Sequence, residues 1–460
     1  MSIIKSISGI RGTIGGSAGD NLTPQDIVEC TAAFGYWLLQ KGNTKKVVIG
    51  RDARISGPMV TQLVSATLNG LGIDVIDLEL STTPTVEIAV AALGAGAGII
   101  ITASHNPAHW NALKFLNEKG EFISKEDGEL LLKMLSEGAI RYADVMELGT
   151  YEKATGWIER HIDLILAMDM VDVEAIKARK FKVVIDPVNS SGAIAIPPLL
   201  DRLGCEYVMI NGEPNGHFAH NPEPLPKHLA ELSEKMVSEK ADLGISVDPD
   251  VDRLAFACED GTLFGEEYTL VAIADYMLAI KSGNTVSNLS STRALRDVTE
   301  KHGGKYYASA VGEVNVVNKM KEVDAVLGGE GNGGIIIPGL HYGRDALVGI
   351  ALMLSHLAKT GKTMSALKAS YPLYHMVKDK IQLEKGLDLN GILNALHQEY
   401  KNEDCHTIDG LKINFADSWV HMRKSNTEPI VRIYSEALSV EQAEGLVAKM
   451  KASIERLASV

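Results

Sequence analysis

One pattern occurs three times along this chain, and it restricts the fold more than any other feature. An apolar strand ends in a polar turn, a helix follows, a glycine stops the helix, and another apolar strand closes the unit. The first copy is KVVIGRDARISGPMVTQLVSATLNGLGIDVIDL, residues 46–78. Its strand runs from Val47 to Ile49, Ser56-Gly57 leads the helix, and Leu71-Gly72 closes it. The second copy, KVVIDPVNSSGAIAIPPLLDRLGCEYVMI at 182–210, repeats the plan with Ser191-Gly192 and Leu203-Gly204. The third, NTVSNLSSTRALRDVTEKHGGKYYAS at 284–309, is weaker and stops its helix at Gly303-Gly304. Glycine at these stops fits a left-handed helix C-cap. Strand–helix–strand at this spacing is a right-handed unit of a mostly parallel sheet. Copies beginning at 46, 182 and 284 are related domains in series, not turns of a solenoid. Ahead of the first copy, Thr23-Pro24 marks another helix start, with threonine as N-cap and proline at the first helical position.

The chain from about residue 371 reads differently. YPLYHMVKDKIQL is a strand, GILNALHQEYKN a helix, GLKINFADSWVHMR one or two strands, and an amphipathic helix fills 440–458. This order suggests a smaller α+β domain. With 460 residues the chain has room for several packed cores. The net charge of −14 disfavours nonspecific binding to nucleic acid or an anionic membrane. It does not exclude a small anionic ligand, because local arginines override the global field. Cys30, Cys205, Cys258 and Cys405 are far apart and imply neither a zinc motif nor disulfides. The N-terminus has no apolar signal region, and no apolar run approaches the roughly 20 residues of a membrane helix. A cytoplasmic protein is expected.

Four stretches carry candidate chemistry. In ITASHNPAHWNALKF, residues 101–115, a core strand runs into Ser104 and His105 before an Asn-Pro turn. Sequence neighbours rarely reach triad geometry, and no GxSxG elbow is present. In GISVDPDVDRLAF, residues 244–256, Asp248, Asp250 and Asp252 alternate just after an apolar strand. Three such carboxylates repel one another unless a cation lies among them, and an all-oxygen set suits Mg²⁺. An EF-hand would also begin D-x-D-x-D, and Glu259 falls at its twelfth position, but Arg253 stands where its glycine belongs. A solvated acidic turn is the plain alternative. In LGGEGNGGIIIPGLHYGRDAL, residues 327–347, glycines surround Glu330 and Asn332, a loop able to hold ligand hydroxyls or simply to flex. In RKSNTEPIVRIYSEA, residues 423–437, Arg423, Ser425, Asn426, Thr427 and Arg432 form a donor cluster. It is either a phosphate clamp or a turn with unrelated arginines. A serine, three aspartates and a remote clamp together suggest phosphoryl transfer.

These four motifs, in this order, resemble those of the α-D-phosphohexomutases, the phosphoglucomutase/phosphomannomutase superfamily, over nearly the whole chain. The resemblance implies three related α/β domains with mixed sheets plus a smaller C-terminal α+β domain around a central cleft, one motif from each. We set the domains at 1–150, 151–254, 255–368 and 369–460. It implies that Ser104 carries a phosphoryl group and, with Asp248, Asp250 and Asp252, holds one Mg²⁺. The phosphoryl group would pass to a hexose phosphate, giving a bisphosphorylated sugar that turns end for end and returns its other phosphate. Such a bisphosphate is also a candidate activator. Glu330 and Asn332 would hold sugar hydroxyls, and Arg423, Ser425, Asn426, Thr427 and Arg432 the unreactive phosphate. Arg253 would assist the metal, and Arg11, His105 and Lys114 are the candidates for proton transfer.

Many bacterial relatives close the sugar loop with histidine, whereas this chain has Gly334, and His341 is the substitute considered. The sugar-loop form, with VGEVNVV at 311–317, most resembles the archaeal-type phosphoglucosamine mutase branch. The substrate expected is therefore glucosamine phosphate, with mannose and glucose phosphates as alternatives. A metal-dependent sugar phosphatase and a noncatalytic sugar-phosphate-binding relative are the competing classes. A monomer and a homodimer are both open.

Overall fold

A computed structural model describes residues 3–6, 9–138, 140–382, 388–424 and 430–458. The chain divides into two compact units, Met1–Tyr276 with Asn332–Leu367, and Met277–Gly331 with Lys368–Val460.

In the first unit the opening repeat forms the middle of a seven-stranded sheet. The strands Ala97–Ile101, Lys46–Arg51, Asp74–Leu80 and Tyr151–Lys153 run parallel. The strands Ile4–Ser6, Gly9–Thr13 and Trp110–Leu116 extend the sheet antiparallel from Ala97–Ile101. The sheet is therefore mixed. Both faces of its centre are covered, so its strands are apolar without alternation. Val47 and Ile49 face a core with Phe34, Trp37, Val60 and Val64, while Val48 faces one with Ile76, Val86 and Ile100. The helix Pro24–Lys41 starts where expected: the Thr23 side chain accepts from the Asp26 N–H, and the Asp26 carboxylate answers at the Thr23 N–H. The helix Gly57–Gly70 ends before Gly72, whose φ of +75° supplies the left-handed turn.

The second repeat gives a four-stranded sheet in the same unit. Leu243–Val247, Lys182–Asp186 and Glu206–Met209 are parallel, and Leu254–Cys258 returns antiparallel beside Leu243–Val247. That return is forced by the short connection: residues 248–253 cannot make a crossover, so the chain doubles back through a tight turn. In the second unit the third repeat pairs Tyr306–Ser309, Asn284–Asn288 and Ala325–Glu330 in parallel. The C-terminal segment forms an antiparallel five-stranded sheet in the order His375–Gln382, Ile430–Ala437, Trp419–Lys424, Leu411–Asn414, Asp404–His406. Leu393 and Leu396 of the helix Leu389–Glu399, with Met450 and Ile454 of the helix Val440–Ala458, cover one face against Ile413, Met422, Val431 and Ile433. Three related α/β domains and a smaller α+β domain are thus present.

Candidate active site

The site in the first unit lies just past the carboxyl ends of strands, where parallel sheets leave their loops free to carry function. After Ile101 the chain does not turn simply. Thr102 Oγ1 donates to Asp52 Oδ2 (2.6 Å) and accepts from the Ser104 N–H (2.9 Å). Ser104 is held at φ +48°, a region a non-glycine residue enters only when its surroundings fix it. Arg54 does much of that fixing. It is fully buried, and its Nε donates to Asp52 (3.0 Å). Its two terminal nitrogens donate to the carbonyls of Ser104 (2.5 Å), Asn106 (2.6 Å), Pro107 (2.6 Å) and Trp110 (3.0 Å). The serine that ends the core strand is therefore presented by a loop wrapped around one guanidinium group.

Facing it is the turn of 248–253. Val251 there has φ +63°, unfavourable for a β-branched residue. Backbone bonds hold it from both sides: the Thr83 N–H donates to Asp250 O (2.9 Å) and the Ala346 N–H to Val251 O (3.2 Å). The turn stacks three buried carboxylates whose oxygens approach within 4.8 Å of one another. Asp248 Oδ1 accepts from the N–H groups of Asp252 (3.2 Å) and Arg253 (3.1 Å), and its Oδ2 accepts from Ser104 Oγ (2.7 Å). Asp250 Oδ2 accepts from Thr83 Oγ1 (2.6 Å) and Lys114 Nζ (2.7 Å). Asp252 Oδ2 accepts from Arg344 Nη2 (2.7 Å), with Lys114 Nζ at 3.5 Å. The remaining oxygens, Asp250 Oδ1 and Asp252 Oδ1, are buried without a hydrogen-bond partner among the described residues. Two orphaned carboxylate oxygens beside a third carboxylate and a serine hydroxyl form a donor set that fits a hard divalent cation.

The electrostatics follow. Burial pushes the Asp248 carboxyl well above its ordinary range, and the charges of Asp252 and Asp250 push it further. Burial would do the same at Asp250, but the Lys114 ammonium overcomes it and holds that carboxyl below the usual range. Lys114 itself is raised, since Asp250 and Asp252 outweigh the cost of burying its charge. His105 is pushed down by burial and by the Arg253 charge, and its Nδ1 lies 3.4 Å from Ser104 Oγ.

The other expected residues fall as follows. Arg11 pairs with Ala112 across antiparallel strands, so it shares a sheet face with Lys114, two residues further on. Arg253 Nη1 donates to Glu223 (3.3 Å), and its Nε lies 4.0 Å from Asp252 Oδ1. Asn332 Oδ1 accepts from the Gly334 N–H (3.1 Å). In the second unit, buried Glu330 accepts through Oε1 from Asn288 Nδ2 (2.8 Å) and the Gly312 N–H (3.2 Å). Arg423 and Arg432 stand directly opposite each other on neighbouring strands. Like charges so placed repel, and the Arg423 Nε is buried without a hydrogen-bond partner among the described residues. Ser425, Asn426 and Thr427 lie outside the described residues.

Sequence reasoning missed four contributors. Arg54 and Thr83 were hidden because their contacts cross 50 and 167 positions. Lys380 is opposite Arg432 on the other side, completing a row of three cations across three strands, and no motif marked it. Arg344 answers the puzzle of Gly334: a Cβ at 334 would lie 2.3 Å from Arg344 Cδ, so the glycine makes room for the arginine that reaches Asp252. His341 is not at the serine but against Glu87 and Asp345.

Four family models match the chain in order. They describe phosphoglucomutase/phosphomannomutase α/β/α domains I (residues 3–139), II (159–261) and III (265–374) and the C-terminal domain (375–453). The chain belongs to the phosphoglucomutase/phosphomannomutase family. It is accordingly a phosphohexomutase, an isomerase. A "Phosphoglucomutase/phosphomannomutase" of Thermococcus kodakarensis is 36% identical over 94% of this chain and 95% of its own. A "Phosphoglucosamine/phosphogalactosamine mutase" of Sulfurisphaera tokodaii is 32% identical over 99% of this chain and 100% of its own. The crystal structure of a phosphoglucomutase/phosphomannomutase family protein from Burkholderia thailandensis superposes with a TM-score of 0.86 at 26% identity. It covers 99% of this phosphohexomutase and 97% of that chain. Among the described residues no helix is long and apolar enough to cross a membrane.

Proposed function

We propose that this phosphohexomutase interconverts glucosamine 6-phosphate and glucosamine 1-phosphate through a phosphoryl group carried on Ser104. The observation that carries the chemistry is the hydroxyl of Ser104 at 2.7 Å from Asp248, beside two carboxylate oxygens that lack partners. Asp248, Asp250 and Asp252, with the phosphorylated Ser104, would hold one Mg²⁺, which supplies positive charge to offset that on the transferring group.

The chain's own residues do the rest. Arg54 fixes the loop so that Ser104 Oγ keeps one direction. The sugar hydroxyl attacks phosphorus as the bond from Ser104 Oγ to phosphorus breaks, and its proton passes to His105, whose Nδ1 lies 3.4 Å from Ser104 Oγ, while Lys114 stays an ammonium between Asp250 and Asp252. Lys114, Arg344 and Arg253 hold positive charge around the carboxylates. Glu330 and Asn332 take sugar hydroxyls. Arg423, Arg432 and Lys380, with Ser425, Asn426 and Thr427, grip the phosphate that is not reacting. The reverse transfer from the turned bisphosphate restores phospho-Ser104, so a free hexose bisphosphate also primes the enzyme. The Sulfurisphaera relative's name supports the amino sugar. The Thermococcus relative's name supports a second reading, glucose or mannose phosphate.

Comparing kcat/KM for glucosamine, glucose and mannose phosphates on one preparation separates these readings. Glucosamine phosphate is expected to lead by at least tenfold, and equal or lower efficiency rejects the preference. Phosphate release instead of isomer formation would indicate a phosphatase. Intact mass after incubation with hexose bisphosphate should show one added phosphate, absent in Ser104→Ala, which should also lack turnover.

A further inference from the structure

A second buried cluster in the first unit takes no part in this chemistry. Asp345, immediately ahead of the helix Ala346–Thr360, uses Oδ1 to cap that helix at Leu347 (2.8 Å) and Val348 (3.3 Å). Its Oδ2 is met by two imidazoles, His161 Nε2 at 2.8 Å and His341 Nε2 at 3.3 Å. These three donor atoms lie within 4.8 Å of one another. Each ring is held from behind. His161 Nδ1 is 3.0 Å from Thr85 Oγ1, and His341 Nδ1 is 3.1 Å from Glu87 Oε2. Asp345, His161, Thr85 and Glu87 are each no more than 1% exposed.

We propose that His161, His341 and Asp345 form a binding site for Zn²⁺ or a similar borderline divalent cation, distinct from the three-aspartate site.

Two imidazoles and a carboxylate are a recognised zinc donor set, leaving a fourth position for water. The outer partners are those of a metal site, where a carboxylate or hydroxyl behind each ring fixes its orientation and tautomer. His341 Nδ1 lies 3.1 Å from Glu87 Oε2 and its Nε2 3.3 Å from Asp345 Oδ2, so the ring presents one nitrogen to each carboxylate. With each ring protonated on Nδ1, two Nε2 lone pairs converge with a carboxylate oxygen, an arrangement that a cation among them satisfies. The two buried carboxylates, Glu87 and Asp345, balance a divalent charge. Tetrahedral coordination needs donors about 3.3 Å apart, so His161 and Asp345 need separate by only about 0.5 Å. The surroundings are shaped around Glu87: a Cβ at Gly343 would lie 1.8 Å from its Oε2. A bound ion would tie together the helices Thr83–Ala92 and Trp157–Leu166 and the segment bearing Arg344. Nitrogen donors keep the site apart from the all-oxygen triad, which Mg²⁺ suits.

The test is zinc content of the full chain after zinc exposure and gel filtration in excess Mg²⁺. About one zinc per chain is expected, retained by Asp248→Asn and lost in His161→Gln and His341→Gln. Glu87→Gln should weaken zinc about 10- to 100-fold. Unaltered protein titrated with Co²⁺ should give the intense visible absorption of a four-coordinate site. No retained zinc together with only a weak six-coordinate Co²⁺ spectrum, or zinc lost through Asp248→Asn alone, overturns the proposal. In those cases the cluster is a hydrogen-bonded chain in which a proton on His341 serves as the cation.

Discussion

Arg54 directs every N–H of its guanidinium into protein, one to Asp52 and the rest to four carbonyls of the serine loop. No other side chain has this geometry, and a lysine offers only a point charge. Arg54→Gln and Arg54→Lys should each lower kcat about 100-fold, because displacing a reacting atom by about 1 Å costs that much. In Arg54→Gln stability should also fall by roughly 3–5 kcal/mol as Asp52 loses its buried charged partner. Steady-state kinetics beside a denaturant melt checks both, and normal kcat in folded Arg54→Lys would show that the loop holds itself. At the opposed arginines the expectation differs. Arg432→Ala should raise KM tenfold or more, the worth of a charge-assisted hydrogen bond, while the Mg²⁺ requirement stays the same. An unchanged KM removes Arg432 from the proposed clamp.

At the scale of elements, capping and periodicity were legible, and partners across the sheet were not. The Thr23 capping box and the glycine stops depend on neighbours a few residues away, so the sequence shows them directly. The return strand Trp110–Leu116 and the N-terminal hairpin escaped notice, since Lys5, Arg11 and Lys114 interrupt their apolar pattern and the two pair with each other from far apart in the chain. The strand Trp419–Lys424 brings its own pH dependence. His421 is buried between Ser290 Oγ (2.9 Å) and the carbonyl of Asp409 (2.7 Å), and burial lowers its pKa to about 3. The unfolded chain, with histidine near 6.5, binds the proton first. Stability is therefore complete above pH 6.5 and is lost as pH falls from about 6.5 toward 3, by at most about 1.4 kcal/mol per pH unit. In melts followed between pH 7 and 4, His421→Gln should flatten this slope. An equal slope in the variant assigns it to other groups.

For the whole molecule, the triad already has three cationic neighbours, Lys114, Arg344 and Arg253, so removing divalent cations should stop turnover without unfolding the chain. Restored Mg²⁺ at about a hundredfold its Kd should return activity and add about 2.7 kcal/mol of stability by linkage. Full activity in a chelator would reject the metal reading. The sequence by itself determined the repeated α/β units, the distinct C-terminal segment and the four motifs, because strands, caps and loop composition are written in short-range order. Only tertiary structure decided which oxygens of Asp248, Asp250 and Asp252 stay without partners, that Arg344 takes the space beside Gly334, and that Lys380 lines up with Arg432 and Arg423. Those facts rest on contacts between residues far apart in the chain, and no local pattern encodes the direction in which a buried side chain finds its partner.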